Sequence, residues 1–513
     1  MPRDLKALEL RPSEVKAWLD SLPLERTGGP AHELIDYLLA LNDSTLDIDE
    51  RVQILELCRP TARILLRQLA DIYGRSPQPL NRDALDALAF ARQLSAQLAA
   101  GYKVAIVDSA LERNAEGDRK PVALLLLLAM QYLAEGMRAS YRTYSRVPDG
   151  AWQEMHSLYL HAEQGGGAAA VADAESNASV AEVYCESLLV SLCDPYRLLP
   201  DEVEKIVGLM RMLRVPVHLS RKRPATAASA HFLVPCDEDK PPRAARVADE
   251  KPGPRWRVLD ANPLVARLRA IKREADAGDA SSAMTTMVGA DGLALIAKLI
   301  GLWGDPPKRA FRRDPAQGSV AICVGVKAIA QFVAHDSTAD GEAESKALRE
   351  GITMPLRALP EDESGQAVPI HEWAVINLSA GGLKVRRNAS TAYPIAVGEI
   401  VGIRAAGKAL WMIGVARWIT ALEDGTTEFG VQFFASAVCA VWVKNTASSS
   451  APKLGVLLTD GEEVPHESLL TPPNAFAKAG EYELRGEGFR SRVQASDLIE
   501  KNARFELFSV VHS

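Results

Sequence analysis

Over roughly the first 220 residues, apolar positions recur at helical spacing, punctuated by residues that start or stop helices. Ser13 stands ahead of Val15, Trp18 and Leu19, and Pro30 ahead of Leu34, Ile35, Leu38, Leu39 and Leu41. Thr61, following Pro60, precedes Leu65, Leu69 and Ile72, which share one helical face. Ala87, Ala91, Leu94 and Leu98 repeat the spacing, and further helices are expected from near Pro121, Ala151, Val180 and Pro200. Short connections between them predict antiparallel pairs, arranged as a bundle or as a helical solenoid.

Past Ser220 the pattern breaks. Residues 236–254 are rich in proline and charge, His231-Phe232-Leu233-Val234 reads as a short strand, and Leu264, Leu268 and Ile271 lie in phase for another helix. From Ser319 the period becomes that of strands. Val320, Ile322, Val324 and Val326 form a β-branched run, followed by short runs at 374–376, 383–385, 400–403, 411–418 and 429–434, with glycine-bearing turns between them. Such a series predicts an antiparallel barrel of Greek-key type. The expected organisation is an α+β multidomain chain. It has a helical N-terminal half (1–225), a connector with a short strand and helices (226–304), a β-barrel (305–447) with an acidic insertion at about 336–371, and a small C-terminal β appendage (448–513).

At 513 residues the chain has room for roughly two to four domains. A net charge of -7 leaves no basic excess to neutralise a nucleic-acid backbone, so no nucleic-acid polymer is expected as a partner. The six cysteines are scattered with no CxxC pair, which predicts reduced core thiols and neither a zinc site nor a disulfide framework. The first residues, MPRDLKALELRPSEVKAW, lack the apolar core of a secretory signal. The longest apolar run, 122–130, falls short of the ~20 residues of a membrane helix. A cytoplasmic location without direct membrane insertion is expected.

Two patterns carry candidate chemistry. Arg309 and Arg313 form an RxxxR tract, with Arg312 between them, just before the strand at 320–326. Asn377-Leu378-Ser379-Ala380-Gly381-Gly382 forms an NxSxxG turn between two apolar runs. Alone, the first is an ordinary basic linker and the second an ordinary hairpin turn. In this order and strand context, residues 308–443 resemble the PilZ family, whose fold is a six-stranded antiparallel barrel. Val397-Gly398-Glu399-Ile400-Val401, Gly414-Val415-Ala416-Arg417-Trp418 and Phe429-Gly430-Val431-Gln432-Phe433 resemble its later strands.

The resemblance implies binding of cyclic di-GMP, a bacterial second messenger, by Arg309, Arg313, Asn377, Ser379 and Gly382, with Arg312 and Gly381 as secondary candidates. The residue types suit that ligand independently. Arginine makes planar two-point contacts with guanine O6/N7 or with phosphate. Asn377 offers an acceptor and a donor, Ser379 a short hydroxyl, and Gly382 a close backbone approach. No phosphate loop, nucleophile elbow or HExxH pattern occurs, so an enzyme is not expected, nor a cofactor or metal. The expected function is a receptor that transmits the signal through ligand-ordered interdomain rearrangement, with a protein partner on the helical half. The alternative is a degenerate PilZ adaptor that binds a motility or secretion partner without nucleotide.

Overall fold

The helical periodicity of the first part folds into α1 (Pro12–Ser21), α2 (Gly28–Asp43), α3 (Ile48–Arg75), α4 (Arg82–Leu111), α5 (Val122–Arg142), α6 (Ala151–Gln164), α7 (Val180–Leu192) and α8 (Glu202–Leu213). The computed structural model describes residues 10–111, 122–173, 178–214, 217–222, 230–245, 253–277, 283–304, 312, 314–337, 368–387, 394–405, 410–422, 424–435, 437–448, 450–459, 467–487 and 489–512. They fall into two units, Met1–Lys308 and Arg309–Ser513.

In the first unit, α2, α3 and α5 pack on α4, and α6, α7 and α8 pack in turn against α5 or α7. Ser13, read as a helix start, lies inside α1, which begins at Pro12 with no side-chain cap, whereas α3 and α7 are capped by side chains. Asp47 accepts the Asp49 N–H, and Ser179 and Glu182 form a reciprocal capping box ahead of α7. The helix expected to begin at Thr61 is instead the second half of α3, which runs through Pro60. Pro60 is exposed, on the solvent side of the helix, where the carbonyl that loses its N–H partner costs least. By length and composition α5 could cross a membrane, but 56% of its apolar window is buried against the rest of the unit, as in a core helix.

Residues 226–304, expected as a connector, add to this same core. A hairpin of β1 (Val171–Asp173) and β2 (Ala178–Ser179) precedes α7. After α8 come β3 (His218–Ser220), β4 (His231–Pro235), β5 (Arg243–Ala244) and β6 (Trp256–Asp260) in the order β3-β6-β4-β5, then α9 (Asn262–Asp276) and α10 (Ala283–Trp303). Phe232, Val234, Leu259, Leu264, Leu268 and Trp303 join the apolar cluster of the helices. The Trp303 indole N–H donates to the Leu189 carbonyl at 3.1 Å.

Polar contacts stitch the same join. Asp239 caps α6 by accepting from Gly150 N at 2.6 Å and Gln153 N at 3.1 Å. Buried His156 donates from Nε2 to the Lys240 carbonyl at 3.0 Å, and burial lowers its pKa, so the neutral ring accepts from the Tyr184 hydroxyl 2.7 Å away at Nδ1. Glu163 on α6 takes the almost fully buried Arg257 of β6 (Nε to Oε1, 2.8 Å) and also Arg221 (2.8 Å). Hydrogen bonds from these arginines hold the Glu163 carboxyl down at about 2.

The second unit opens with β7 (Asp314–Pro315), β8 (Ser319–Val324) and α11 (Val326–Ser337). The β-branched run expected to reach Val326 stops at Val324, because Gly325, at φ +94°, turns the chain into α11. The strands β9 (His371–Ser379), β10 (Gly382–Arg387), β11 (Ile400–Ala405), β12 (Trp411–Ala421) and β13 (Thr427–Ala435) follow. The ring β8-β9-β10-β13-β12-β11 closes on itself, every pairing antiparallel. This is the six-stranded barrel that was expected. Most of its acidic insertion, residues 338–367, lies outside the described residues.

The C-terminal appendage is larger than its alternation suggested. β14 (Ala437–Asn445), β15 (Lys453–Thr459), β16 (Ser468–Thr471), β17 (Glu481–Gly486), β18 (Phe489–Lys501) and β19 (Glu506–His512) form a second closed barrel. It includes β14, from within the segment expected to belong to the first barrel. One apolar cluster joins the two: Ile329, Phe332 and Val333 of α11 sit among Ile400, Trp411 and Ile413 of the first barrel and Val456, Leu458 and Phe505 of the second.

Two measurements follow from this packing. Residues 1–308 are expected to unfold cooperatively, whereas 1–225, stripped of Trp303, Leu264 and Phe232, loses several buried side chains worth about 1.5–3 kcal/mol each. Thermal melts of the two fragments check this, and equal stability would show that 226–304 is dispensable. Glu163→Ala leaves Arg257 buried without its carboxylate and is expected to cost about 3 kcal/mol. Because the folded pKa of Glu163 lies near 2, below its ordinary 4.5, its stabilisation is full above about pH 4.5 and is lost as the pH falls toward 2. Denaturant melts of wild type and variant across that range should converge at the acid end.

Candidate functional site

The NxSxxG residues sit where β9 turns into β10, with Ser379 paired to Gly382 and Ala380-Gly381 as the two-residue turn. The Ser379 hydroxyl donates to the Gly382 carbonyl at 3.1 Å, which leaves its oxygen lone pairs as acceptors. The Gly381 carbonyl accepts from Phe433 N at 3.0 Å and fastens the turn to β13. Gly382 is required by packing: a Cβ there would lie 2.1 Å from the Val431 carbonyl oxygen. Asn377, two residues before Ser379, is half-buried on the same strand.

Strand β8 covers β9 only from His371 to Ala374, which leaves the edge of residues 375–378 without a strand partner from the barrel. Unpaired strand-edge groups are costly if buried and adhesive if exposed. The segment just before β8 takes that edge. Val375 N donates to the Gly318 carbonyl at 2.9 Å, Ala316 N donates to the Ile376 carbonyl at 3.3 Å, and Pro315 and Asp314 stand opposite Asn377 and Leu378. Proline suits an edge position because its missing N–H removes a donor there.

Asp314, the residue after the RxxxR tract, thus stands opposite Leu378 of the NxSxxG motif. Arg309 and Arg313 lie outside the described residues, and Arg313 is one peptide bond from Asp314. Arg312 is exposed, its Nε 3.4 Å from Asp314 Oδ1. The structure brings Asn377, Ser379, Gly381 and Gly382 together and sets Asp314, the residue after the arginine tract, opposite Leu378.

Two further residues at the turn were not singled out by sequence reasoning. Asn377, Lys384, Gly430 and Trp418 stand opposite one another across β9, β10, β13 and β12. With no side chain at 430, the Trp418 indole lies flat over that position; a Cβ there would be 2.0 Å from its Nε1. Lys384 Nζ lies 5.6 Å from the indole centroid and 2.7 Å from Glu428 Oε2. Arg386 Nε donates to Glu428 at 2.7 Å. Burial pushes the Glu428 carboxyl up, but hydrogen bonds from Lys384 and Arg386 outweigh it, so the group stays ionised and holds both cations in place. The signal was the cross-strand register, which places Gly430 between a lysine and a tryptophan. At the far side of Trp418, Arg417 reaches Gln432 at 2.5 Å and forms a two-point pair with Glu500 of the second barrel at 2.7 and 2.8 Å.

This surface offers two-point hydrogen bonding from Asn377, an acceptor at Ser379, a flat aromatic face and nearby cations. That set suits a planar, anionic ligand rich in hydrogen-bond donors and acceptors. Among the described residues no cluster of His, Cys, Asp or Glu is arranged to hold a metal ion.

Comparison with known proteins agrees with this architecture. Residues 13–224 match the family described as cyclic-di-GMP receptor FimW, N-terminal domain. Residues 231–350 and 335–438 match the family described as cyclic-di-GMP receptor FimW, middle PilZ domain. The chain is 25% identical over 508 residues to the cyclic-di-GMP receptor FimW of Pseudomonas aeruginosa, an alignment that covers 89% of this chain and 82% of that protein. No solved structure matches. With a helical N-terminal part and a six-stranded barrel each matched by its own model, this chain belongs to the PilZ-domain family, as a member with a long helical N-terminal extension.

Proposed function

We propose that this protein is a cytoplasmic bacterial receptor for cyclic di-GMP that reads the nucleotide on the β9–β10 turn of its PilZ barrel. The observation that supports the reading is the pairing of Asp314 and Pro315, which follow the arginine tract in the chain, with Leu378 and Asn377. Asn377 would meet a guanine edge with one donor and one acceptor, and Ser379 would accept a base N–H. The turn at Gly381 and Gly382 would let the ligand approach the backbone. Arg309 and Arg313 would close over the nucleotide with two-point contacts to guanine or phosphate, with Arg312 beside them. Trp418 would give one base a face to stack on.

The arginines are also the first residues of the second unit, whose boundary falls between Lys308 and Arg309. A ligand that fastens them restrains the covalent joint between the units, and the interdomain signal would pass through that restraint. The helical first unit would supply the surface for a protein partner. In this reading the protein is a receptor and catalyses no reaction on the nucleotide.

Calorimetry with cyclic di-GMP tests the site. Arg309→Ala and Arg313→Ala are each expected to weaken binding by about 1–3 kcal/mol, the range for a good two-point guanine contact. The double substitution should abolish measurable binding. Ser379→Ala should cost about 0.5–1.5 kcal/mol, as for one neutral hydrogen bond. Lys308→Ala, one position off the motif, is the control. Equal losses at Lys308 and Arg309 would mean a diffuse basic patch, and no binding by the intact protein would leave an adaptor that works without nucleotide.

Trp418→Ala should lose about 1–3 kcal/mol of binding through the missing stack, while Trp418→Phe keeps most of it. If the two variants bind alike, the indole face is not part of the site.

A further inference from the structure

Far along the chain from the barrel turn, α3, α5, α7 and α8 enclose a cleft of about 1220 Å³ within the first unit. It exceeds the roughly 300–1,000 Å³ of a small-molecule pocket. Arg59, Arg63 and Arg67 line it from α3, Arg138 and Arg142 from α5, and Arg211 from α8. The three on α3 are four residues apart, so they form a row of about 12 Å along one side of the cleft.

Internal acids satisfy only part of this set. Glu186 holds Arg211 at 2.8 and 2.9 Å, Arg138 is ringed by Glu135, by Glu204 at 3.5 Å and by Glu186 at 3.6 Å, and Glu56 takes Arg59 at 2.8 Å. Arg63 and Arg67 are exposed and make no salt bridge among the described residues. The Nε atoms of Arg59 and Arg142 are buried without a hydrogen-bond partner. The cations left open to an incoming carboxylate are therefore Arg63 and Arg67, one helical turn apart on α3. Between the arginines the lining mixes acids with apolar side chains such as Leu66, Ala134 and Leu189, and Val171, at its rim, is 57% exposed.

We propose that this cleft docks an acidic, amphipathic helical segment of a protein partner. Guanidinium groups one helical turn apart match carboxylates spaced at i, i+4 on an incoming helix, whose apolar face meets Val171 and the aliphatic lining. Charge also selects against a nucleic acid. Asp71, Glu135, Glu182 and Glu204 on the same walls would repel a continuous phosphate backbone, whereas a peptide can set basic side chains against them. The proposal rests on reading the first unit as the partner-binding part, and does not depend on where the nucleotide binds.

Fluorescence anisotropy on the full chain tests it. The probe is a synthetic amphipathic helix with glutamates one turn apart beside a leucine face. The controls are the same peptide with glutamine for glutamate, and a single-stranded DNA oligonucleotide of equal charge. The glutamate peptide should bind, its affinity should fall with added salt, and Arg63→Glu/Arg67→Glu should weaken it about tenfold. Both positions are exposed, and the milder pair Arg63→Gln/Arg67→Gln guards against a folding defect, with circular dichroism melts as the check. Undiminished binding by both pairs, equal binding of the glutamine peptide, tighter binding of the oligonucleotide, or no binding by the wild type would each overturn the proposal. Calorimetry with cyclic di-GMP on the charge-reversed pair keeps the two readings separate. Retained nucleotide binding supports a distinct docking cleft, and its loss would make the cleft a nucleotide site and overturn the docking proposal. Peptide binding by a wild type that ignores the nucleotide would sink the receptor reading alone.

Discussion

The candidate site depends on how one strand edge is satisfied. β9 is longer than the neighbour that should cover it, and β8 leaves the backbone of residues 375–378 without a strand partner. Backbone donors and acceptors at a sheet edge need partners, and the segment running into β8 provides them through Gly318, Ala316, Pro315 and Asp314. That requirement places Pro315 and Asp314, the residues just after the arginine tract, opposite Asn377 and Leu378. Without it, RxxxR and NxSxxG would be two motifs separated by more than sixty residues and an insertion.

The turn itself is fixed by equally local demands. Gly382 has no room for a side chain against β13, and Gly381 is held by Phe433. Ser379 commits its proton to the Gly382 carbonyl and so presents an acceptor. Glu428, ionised between Lys384 and Arg386, holds two cations beside the turn while adding one negative charge of its own. The result is a surface whose polarity is set before any ligand arrives, which limits the reorganisation that binding would require.

Much of this was legible in the sequence because it rests on local patterns. The helical faces of α2 and α4, the strand runs and the Asn377–Gly382 turn follow from period and turn chemistry. What was not legible depends on residues distant in the chain. Trp418 and Lys384 become neighbours only through a register that puts Gly430 between them. The proline- and charge-rich stretch near 236–254 masks a sheet whose strands are held by Glu163 and His156, some seventy to a hundred residues earlier. Pro60 signalled a break in α3, but it lies on the exposed side of the helix and the helix continues through it. The second barrel showed its alternation, while its closure through β14 and β17 left no local trace.

The apolar cluster around α11 belongs to both barrels at once, with Phe332 and Ile329 between Trp411 on one side and Phe505 and Leu458 on the other. In mechanical terms, the first barrel has a stiff backing. Shearing one barrel past the other would open a seam of close-packed side chains, reinforced at its rim by the Arg417–Glu500 clamp. Work done on the turn therefore cannot dissipate into sliding between the barrels, and the C-terminal barrel acts as the anvil against which the front face is loaded.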